Sequence, residues 1–520
     1  MAITRPRKAS ATSVARSRHC GAASLAVLLV TATAAHAQTW RAQPSLSLES
    51  TLTDNVGLSP SGEQKADWVN QLTPTLRFLE IGAHSRFSGV ISVPMLVYAR
   101  TSENNYVAPQ VNANGTIEAI EKFLFVDASI NISQQFQTPF GARPNELSSA
   151  TQNRYTAQSY GVSPYIKGNL ANNVDYELRD NNTWTITNGA FTQGGGNAYT
   201  NEIVGHVTRE PTPVGWSLEY DRTDYAFTEQ QSQRTAIARA RAIYQPDPAV
   251  RVFVSAGYEE NQLTFTQENG ATYGVGIEWR PTDRTTANAA WEHRFFGTSY
   301  RVDFAHRTPL SVWSIQASRD ITNYPRQIAS LTPGSSVPGL LNSLFIGSVP
   351  DPLQRQTLVD QIIRDRGLPT ILLAPVSLFT QQITLVESLG ATFGILGARN
   401  GIFFTAFRSR NQPIEGTDAG DPLNVLTQFI DSTQIGTGVA FTHQLASNMT
   451  FSANLDWTRT TSNDLPGAST RQWLLRALLS RNVSAYTTVY AGARFQKLQS
   501  TVTSAYDEAA VLVGVVYQFR

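Results

Sequence analysis

The stretch Leu124-Phe125-Val126-Asp127-Ala128-Ser129-Ile130-Asn131-Ile132-Ser133 decides the fold. Its apolar residues Leu124, Val126, Ala128, Ile130 and Ile132 interleave with Asp127, Ser129, Asn131 and Ser133. Successive side chains of an extended chain point to opposite faces, so this period gives one strand an apolar and a polar face. The alternation recurs at Tyr273, Val275, Ile277 and Trp279 against Thr272, Gly274, Gly276 and Glu278. It recurs again at Phe451, Ala453, Leu455 and Trp457 against Ser452, Asn454, Asp456 and Thr458. Followed along the chain, it predicts about 22 strands (range roughly 16–22) of roughly 9–14 residues, long enough to cross a bilayer at a tilt.

The connections alternate in length. Long polar ones fall at 54–64, 137–154, 188–198, 227–234, 261–270, 411–432 and 460–469. Short ones fall at 80–83, 168–173, 210–213, 246–249, 281–283, 396–400 and 444–448. This describes an all-β, up-and-down antiparallel meander with the asymmetry of transmembrane barrels, whose periplasmic turns are short and extracellular loops long. A soluble sandwich, solenoid or propeller also alternates, but these polar faces are too polar to pack a second layer. Barrel closure also satisfies every backbone group in hydrocarbon, which no open sheet does.

The 520 residues include 41 basic and 40 acidic ones, 41% hydrophobic and 16% charged. Mean hydropathy is −0.22, so uncharged polar residues supply the polarity that charge supplies in a soluble domain. Balanced charge argues against a nucleic-acid partner, and 10% aromatic residues argue against a solvated coil. The single cysteine, Cys20, excludes a disulfide framework and a cysteine metal site. Residues 1–37 read as a cleaved signal peptide. Arg5, Arg7, Lys8, Arg16 and Arg18 precede an apolar run too short to span a bilayer, and Ala35-His36-Ala37 predicts cleavage before Gln38. Cleavage removes five basic residues and the cysteine, leaving 36 basic against 40 acidic ones in a single barrel domain, 38–520.

Of Trp40, Trp68, Trp184, Trp216, Trp279, Trp291, Trp313, Trp457 and Trp473, nearly all share the apolar phase and most sit near a strand end. That placement predicts aromatic girdles at the two membrane interfaces. The last strand, through Val511, Val513, Val515, Tyr517 and Phe519, resembles the C-terminal assembly signal of outer-membrane barrels, with Arg520 as a departure. The polar phase predicts a lumen lined by Asp127, Asn131, Glu177, Arg179, Glu219, Asp221, Arg251, Glu259, Glu278, Arg280, Glu292, Arg294, Arg301, Asp303, Asn454 and Asp456. Acid and arginine often stand two residues apart, a mixture that suits a neutral or zwitterionic polar solute better than a simple ion. The same pairs could instead brace the wall.

Three stretches fit the alternation poorly. Glu387 lies in phase with Ile383, Leu385 and Leu389, so a bulge is expected there rather than a charge facing lipid. Residues 235–244 set alanines against Ile237, Arg239, Arg241 and Ile243 in ambiguous phase. Residues 321–381 break the rhythm altogether. Within them 331–350 reads as loop, and Asp351-Pro352 opens a helix signature through Leu353, Leu358, Val359, Ile362 and Ile363, closed by Gly367 and Pro369. This insert is expected either to pack on the external rim or to fold into the lumen and constrict it.

No G-x-S-x-G elbow occurs, since Gly334-Ser335-Ser336-Val337-Pro338 lacks the second glycine. His84, His206, His293, His306 and His443 are widely separated, with no H-E-x-x-H pair. No catalytic residue, metal ligand or cofactor is therefore expected, and the chain is not expected to be an enzyme.

The run Glu49-Ser50-Thr51-Leu52-Thr53-Asp54-Asn55-Val56-Gly57-Leu58, followed by Leu72-Thr73-Pro74, resembles the opening of the PEP-CTERM system-associated outer-membrane β-barrel family. The Asp351-Pro352 helix with Gly367-Leu368-Pro369, and Ala398-Arg399-Asn400, are similar too, so the resemblance covers nearly the whole mature chain. It implies a barrel in the outer membrane of Gram-negative bacteria that carry exosortase sorting, often beside exopolysaccharide loci, with no defined substrate. Expected partners are outer-membrane lipid and lipopolysaccharide, the barrel-assembly machinery and, by genomic association, a polysaccharide or a sorted surface protein. A transport or export pore is the leading functional expectation, ahead of a non-conducting surface scaffold and a barrel enzyme. The oligomeric state is left open.

Overall fold

In the computed structural model the described residues are 39–519, apart from 172, 189–196, 229–231, 264–266, 330–336, 347–348, 350–353, 356–357, 360, 364–371, 377–382 and 415–430. The chain divides into the units Met1–Ala37 and Gln38–Arg520. The expected cleavage residues Ala35, Ala37 and Gln38 lie outside the described residues.

Twenty-two antiparallel strands close into one barrel. The meander begins with β1 (Thr39–Thr53), β2 (Asp67–Ile81), β3 (85–98), β4 (106–120) and β5 (Leu124–Phe136). It continues through β6 (Arg154–Ala171), β7 (Val174–Asn188), β8 (Ala198–Arg209), β9 (Val214–Phe227) and β10 (Gln233–Asp247). Next come β11 (Val250–Gln262), β12 (Gln267–Thr282), β13 (Thr285–Arg294), β14 (Gly297–Arg307) and β15 (Ser311–Thr322). The insert carries the helices α1 (Tyr324–Ala329) and α2 (Val337–Phe345). The barrel then resumes with β16 (Thr384–Leu396), β17 (Asn400–Pro413), β18 (Ser432–Ala446), β19 (Met449–Ser462), β20 (Ser469–Asn482), β21 (Thr487–Ser500) and β22 (Tyr506–Gln518). Strand β3 is interrupted at Val93-Pro94 and β4 at Ala108-Pro109, where proline supplies no ladder donor.

Closure comes from β1 pairing with β22, Ser45–Thr53 lying opposite Gln518–Ala510. The Thr53-Asp54-Asn55 run stitches this seam. Thr53 Oγ1 donates to Glu508 Oε1 at 2.6 Å, the Ala509 amide donates to Asp54 Oδ1 at 2.9 Å, and Asn55 Nδ2 donates to the Asp507 carbonyl at 2.9 Å. The fully buried Asn55 also shapes its own loop, accepting from the Ser59 amide and donating to the Ser59 carbonyl.

The outer face is apolar and open to the surroundings: Val254 is 58% and Val513 57% exposed. Eight of the tryptophans are exposed outright, and Trp457 stands in register beside the exposed Trp473 with ring centroids 6.1 Å apart. Trp40, Trp216, Trp279 and Trp313 lie toward the ends that carry the short turns. Trp68, Trp184, Trp291, Trp457 and Trp473 lie toward the long-loop ends. A closed barrel of this size clad in exposed valine, leucine and tryptophan is stable only in a bilayer, and it belongs in the outer membrane of a Gram-negative bacterium.

Two expectations need correction. Glu387 does face outward, in phase with the exposed Leu389 and Ile395, with no bulge in its pairing. It lies near the external end of β16, where its Oε1 sits 3.7 Å from Arg408 Nη1 and a charge can reach water. Residues 331–350 are not all loop, because 337–345 is helical. Pro338 falls in the first turn, where its missing N–H costs nothing, and Val337, Leu341 and Leu344 form a buried stripe. Of the helix expected after Asp351, the described residues 354–355, 358–359 and 361–363 are helical. The ambiguous phase of 235–244 resolves with Ile237 and Ile243 buried inward and the alanines turned out.

Candidate functional site

The sixteen residues expected to line the lumen all lie on the inward phase of their strands, and most are brought into lateral pairs. Arg179 bridges Asp127 at 2.6 Å and Glu177 at 3.0 Å and stacks 3.7 Å from the Tyr165 ring centroid. Arg241 meets Glu219 at 2.7 Å, Arg251 meets Glu210 at 3.0 Å, and Arg280 lies 3.8 Å from Glu278. The carboxylate of Glu259, 1% exposed, accepts from Arg294 Nη2 at 2.8 Å and from the Phe295 amide at 2.6 Å. Arg294 also reaches Asp320 at 2.8 Å. Asp221 accepts from Thr223, whereas Asn131, Arg301 and Asp303 share the inner face without joining these pairs.

One pair crosses two intervening strands. Arg239 on β10 makes a bidentate contact with Glu292 on β13, at 2.6 and 2.8 Å. Its register neighbour on β11 is Gly257, and Glu292's on β12 is Gly274, so no side chain stands between them at either position.

The lumen is not an empty tube. The connection between β5 and β6, residues 137–153, folds inward and docks on the far wall. Arg143 donates through Nε to Gln472 Oε1 at 3.2 Å and through Nη2 to Thr458 Oγ1 at 2.6 Å. Gln472 Nε2 returns a bond to the Arg143 carbonyl at 3.0 Å. Burial pulls the Arg143 guanidinium down to about 10, which leaves it charged at neutral pH. Arg494 holds Ser148 and Ser149 at 2.6 and 3.0 Å while pairing with Glu508 at 2.6 Å. Gln496 adds a bond to Ser149 at 3.0 Å, and Arg476 faces Glu146 at 3.0 Å.

Described residues of the insert also pack against the inner wall. Tyr324 and Ile328 of α1 pack on Tyr155, Ala157, Ala198, Tyr225 and Phe227 of β6, β8 and β9. The stripe of α2, with Val359, Ile363 and Leu372, packs on Leu396, Phe403 and Ala440. Those three wall residues lie in the short-turn halves of β16–β18, although the insert leaves and re-enters the wall at the long-loop end. It therefore descends past mid-barrel. Val376 exchanges two hydrogen bonds with Gln434, at 3.0 and 2.8 Å, and Leu373 lies over Gly436 and Gly438.

Two sizeable cavities lie among the described residues. One, about 660 Å³, lies between the inward loop, residues 372–376 and the inner faces of β19–β21, with Asn145, Glu146, Asp456 and Arg476 in its lining. Asp456 accepts a bond from Asn145 at 3.4 Å. Asn454 Oδ1, also in this lining, has no hydrogen-bond partner among the described residues. The other, about 700 Å³, lies among the external connections, with Lys65, Glu103 and Arg154 in its lining.

Gln434, Gln472, Arg476, Arg494, Gln496 and Glu508 are the wall residues that sequence reasoning missed. Each stands on the polar phase of its strand, but a side chain bathed in water and one gripping a loop leave the same trace in the alternation.

Fold and lumen together define the class: an outer-membrane β-barrel whose lumen holds its own inward-folded segments. No family model matches the sequence, and no curated protein matches it. Among solved structures the chain is similar to the FrpB iron transporter from Neisseria meningitidis, at 6% identity and a TM-score of 0.48, covering 92% of this chain and 82% of that one. It is similar to the siderophore receptor PirA from Pseudomonas aeruginosa at 8% identity and 0.43, covering 93% and 82%. It is likewise similar to OccK2 from Pseudomonas aeruginosa at 7% identity and 0.35, covering 92% and 98%.

Proposed function

We propose that the protein is a gated pore that passes a polar, neutral or zwitterionic solute across the outer membrane. The observation that carries this reading is the manner in which the lumen is obstructed. Residues 137–153 and the insert are held to the wall by hydrogen bonds and small apolar patches that can be released one by one, around a polar cavity of about 660 Å³. Wall charges are paired laterally, so little uncompensated field of one sign faces a passing solute. The resemblance to barrels of exosortase-bearing bacteria supports a saccharide, or an exported polysaccharide, as the cargo. Nothing in this reading needs a catalytic group.

Planar-bilayer recording tests it. The intact protein is expected to show small or rare conductance steps, and a variant lacking residues 323–383 large and stable ones. A folded deletion variant that never conducts would refute the pore. It would favour instead a non-conducting scaffold, the reading supported by the two segments packed inside the lumen.

A further inference from the structure

The outer surface carries a charged feature that transport does not use. On β19, β20 and β21 the outward apolar run ends at Trp457, Trp473 and Phe495, and the next outward residues toward the long-loop end are Arg459, Arg471 and Lys497. Arg459 and Arg471 are directly opposed in register, as are Trp457 and Trp473, and Lys497 stands opposite Trp473. All three cations are exposed. None has an ion pair or hydrogen bond among the described residues, in contrast to the inner wall, where most arginines are paired. The acid nearest in register is Asp507, opposite Lys497, which accepts a bond from Gln64 at 3.3 Å.

Like charges directly opposed on neighbouring strands repel each other. Cations at the edge of a lipid-facing band can reach water at little cost, and they attract the anionic groups of neighbouring lipid headgroups. The tryptophan pair beneath them marks the depth at which the headgroups begin. Arginine is the side chain whose planar fork matches phosphate oxygens. We propose that β19–β21 form a binding site for the phosphates of an external-leaflet lipid, a phosphorylated lipid A headgroup, whose acyl chains lie along the apolar face below. Arg459 and Arg471 would share one phosphate, removing their mutual repulsion, with Lys497 supplying the third positive charge. This inference needs the long loops to be external and is independent of whether the lumen conducts.

The test is native mass spectrometry of the full barrel in detergent with bisphosphorylated lipid A, its dephosphorylated form and inorganic phosphate as separate probes. The intact protein is expected to retain bisphosphorylated lipid A and to release the dephosphorylated form. The triple variant Arg459→Gln, Arg471→Gln, Lys497→Gln should weaken retention by at least about tenfold. Arg459→Lys with Arg471→Lys should fall between, since the charge survives and the fork does not. Arg481→Gln, outward at the opposite end of β20, should change nothing. Heat-modifiable migration checks that every variant is folded. Equal retention of the dephosphorylated lipid, or undiminished retention by the triple variant, would overturn the proposal. Competition by inorganic phosphate at millimolar concentration would overturn it as well, by showing a site for the free anion.

Discussion

Replacing Gln472 by alanine should release the inward loop. The side chain accepts from Arg143 Nε at 3.2 Å and donates to the Arg143 carbonyl at 3.0 Å, both in a buried setting. A buried guanidinium that loses an acceptor costs about 1.5–3 kcal/mol, and a stranded carbonyl costs about 1–3 kcal/mol. Water entering the space left by the side chain recovers part of this, so about 3 kcal/mol is withdrawn from the docked state. That shifts the docking equilibrium roughly 150-fold. The contacts of Arg494, Gln496 and Arg476 remain, so the loop should open often rather than leave the wall for good. Hydrogen exchange on residues 137–153 reads the change directly. The amide of Ala150, bonded to the Val56 carbonyl at 2.9 Å, should exchange about two orders of magnitude faster, with more frequent open events in planar bilayers. Gln472→Glu keeps an acceptor for Arg143 but cannot donate to its carbonyl, so exchange should fall between that of the intact protein and that of Gln472→Ala. Unchanged exchange in a folded Gln472→Ala barrel would refute the claim that this pair latches the loop.

Other perturbations reach other parts of the same architecture. Glu259→Gln removes one of the two carboxylates facing Arg294, leaving Asp320 at 2.8 Å, and should cost about 1.5–3 kcal/mol, read as a lower temperature at which unboiled protein loses its compact migration on a gel. Gly438→Leu places a side chain where even a Cβ would stand 3.2 Å from Leu373 Cβ and 2.6 Å from Asp456 Oδ1. It should push residues 372–376 off the wall and raise conductance, with the barrel itself intact. Asp54→Ala removes the bond to the Ala509 amide at the seam and should cost about 1 kcal/mol, measured as a modest fall in resistance to urea.

The wall was legible because alternation is local. Asp127 and Ile130 announce their faces from their immediate neighbours, and repetition of that pattern sets strand number, loop asymmetry and lumen lining together. Positions that resisted reading answer to something farther away. Glu387 is an outward charge that makes sense only beside Arg408 of the next strand and near the end of its own. Residues 337–345 carry Pro338 and Gly339, which argue for a loop until the wall residues Phe403 and Ala440 are there to bury Val337, Leu341 and Leu344. Arg239 reads as an anomaly among alanines until Gly257 and Gly274 open a path to Glu292.

The contents of the lumen illustrate the same limit more sharply. Gln434 and Gln472 alternate like any pore-lining residue, yet one holds the insert and the other holds Arg143. Polarity cannot separate these roles, because a hydrogen-bonded plug and bulk water make the same demand on the inner face. Volume can. Gly436 and Gly438 stand two apart on the inner phase of β18, and added side chains there would meet Phe407 and Leu373. Elsewhere the same spacing serves the wall itself, as at Gly274 and Gly276, which meet only wall residues. On β18 the spacing instead makes room for the docked segment, since Gly436 and Gly438 both face Leu373 and lie beside the buried inward Phe403 and Phe407. It places the docking groove on β17 and β18, the side of the lumen where α2 and residues 372–376 lie.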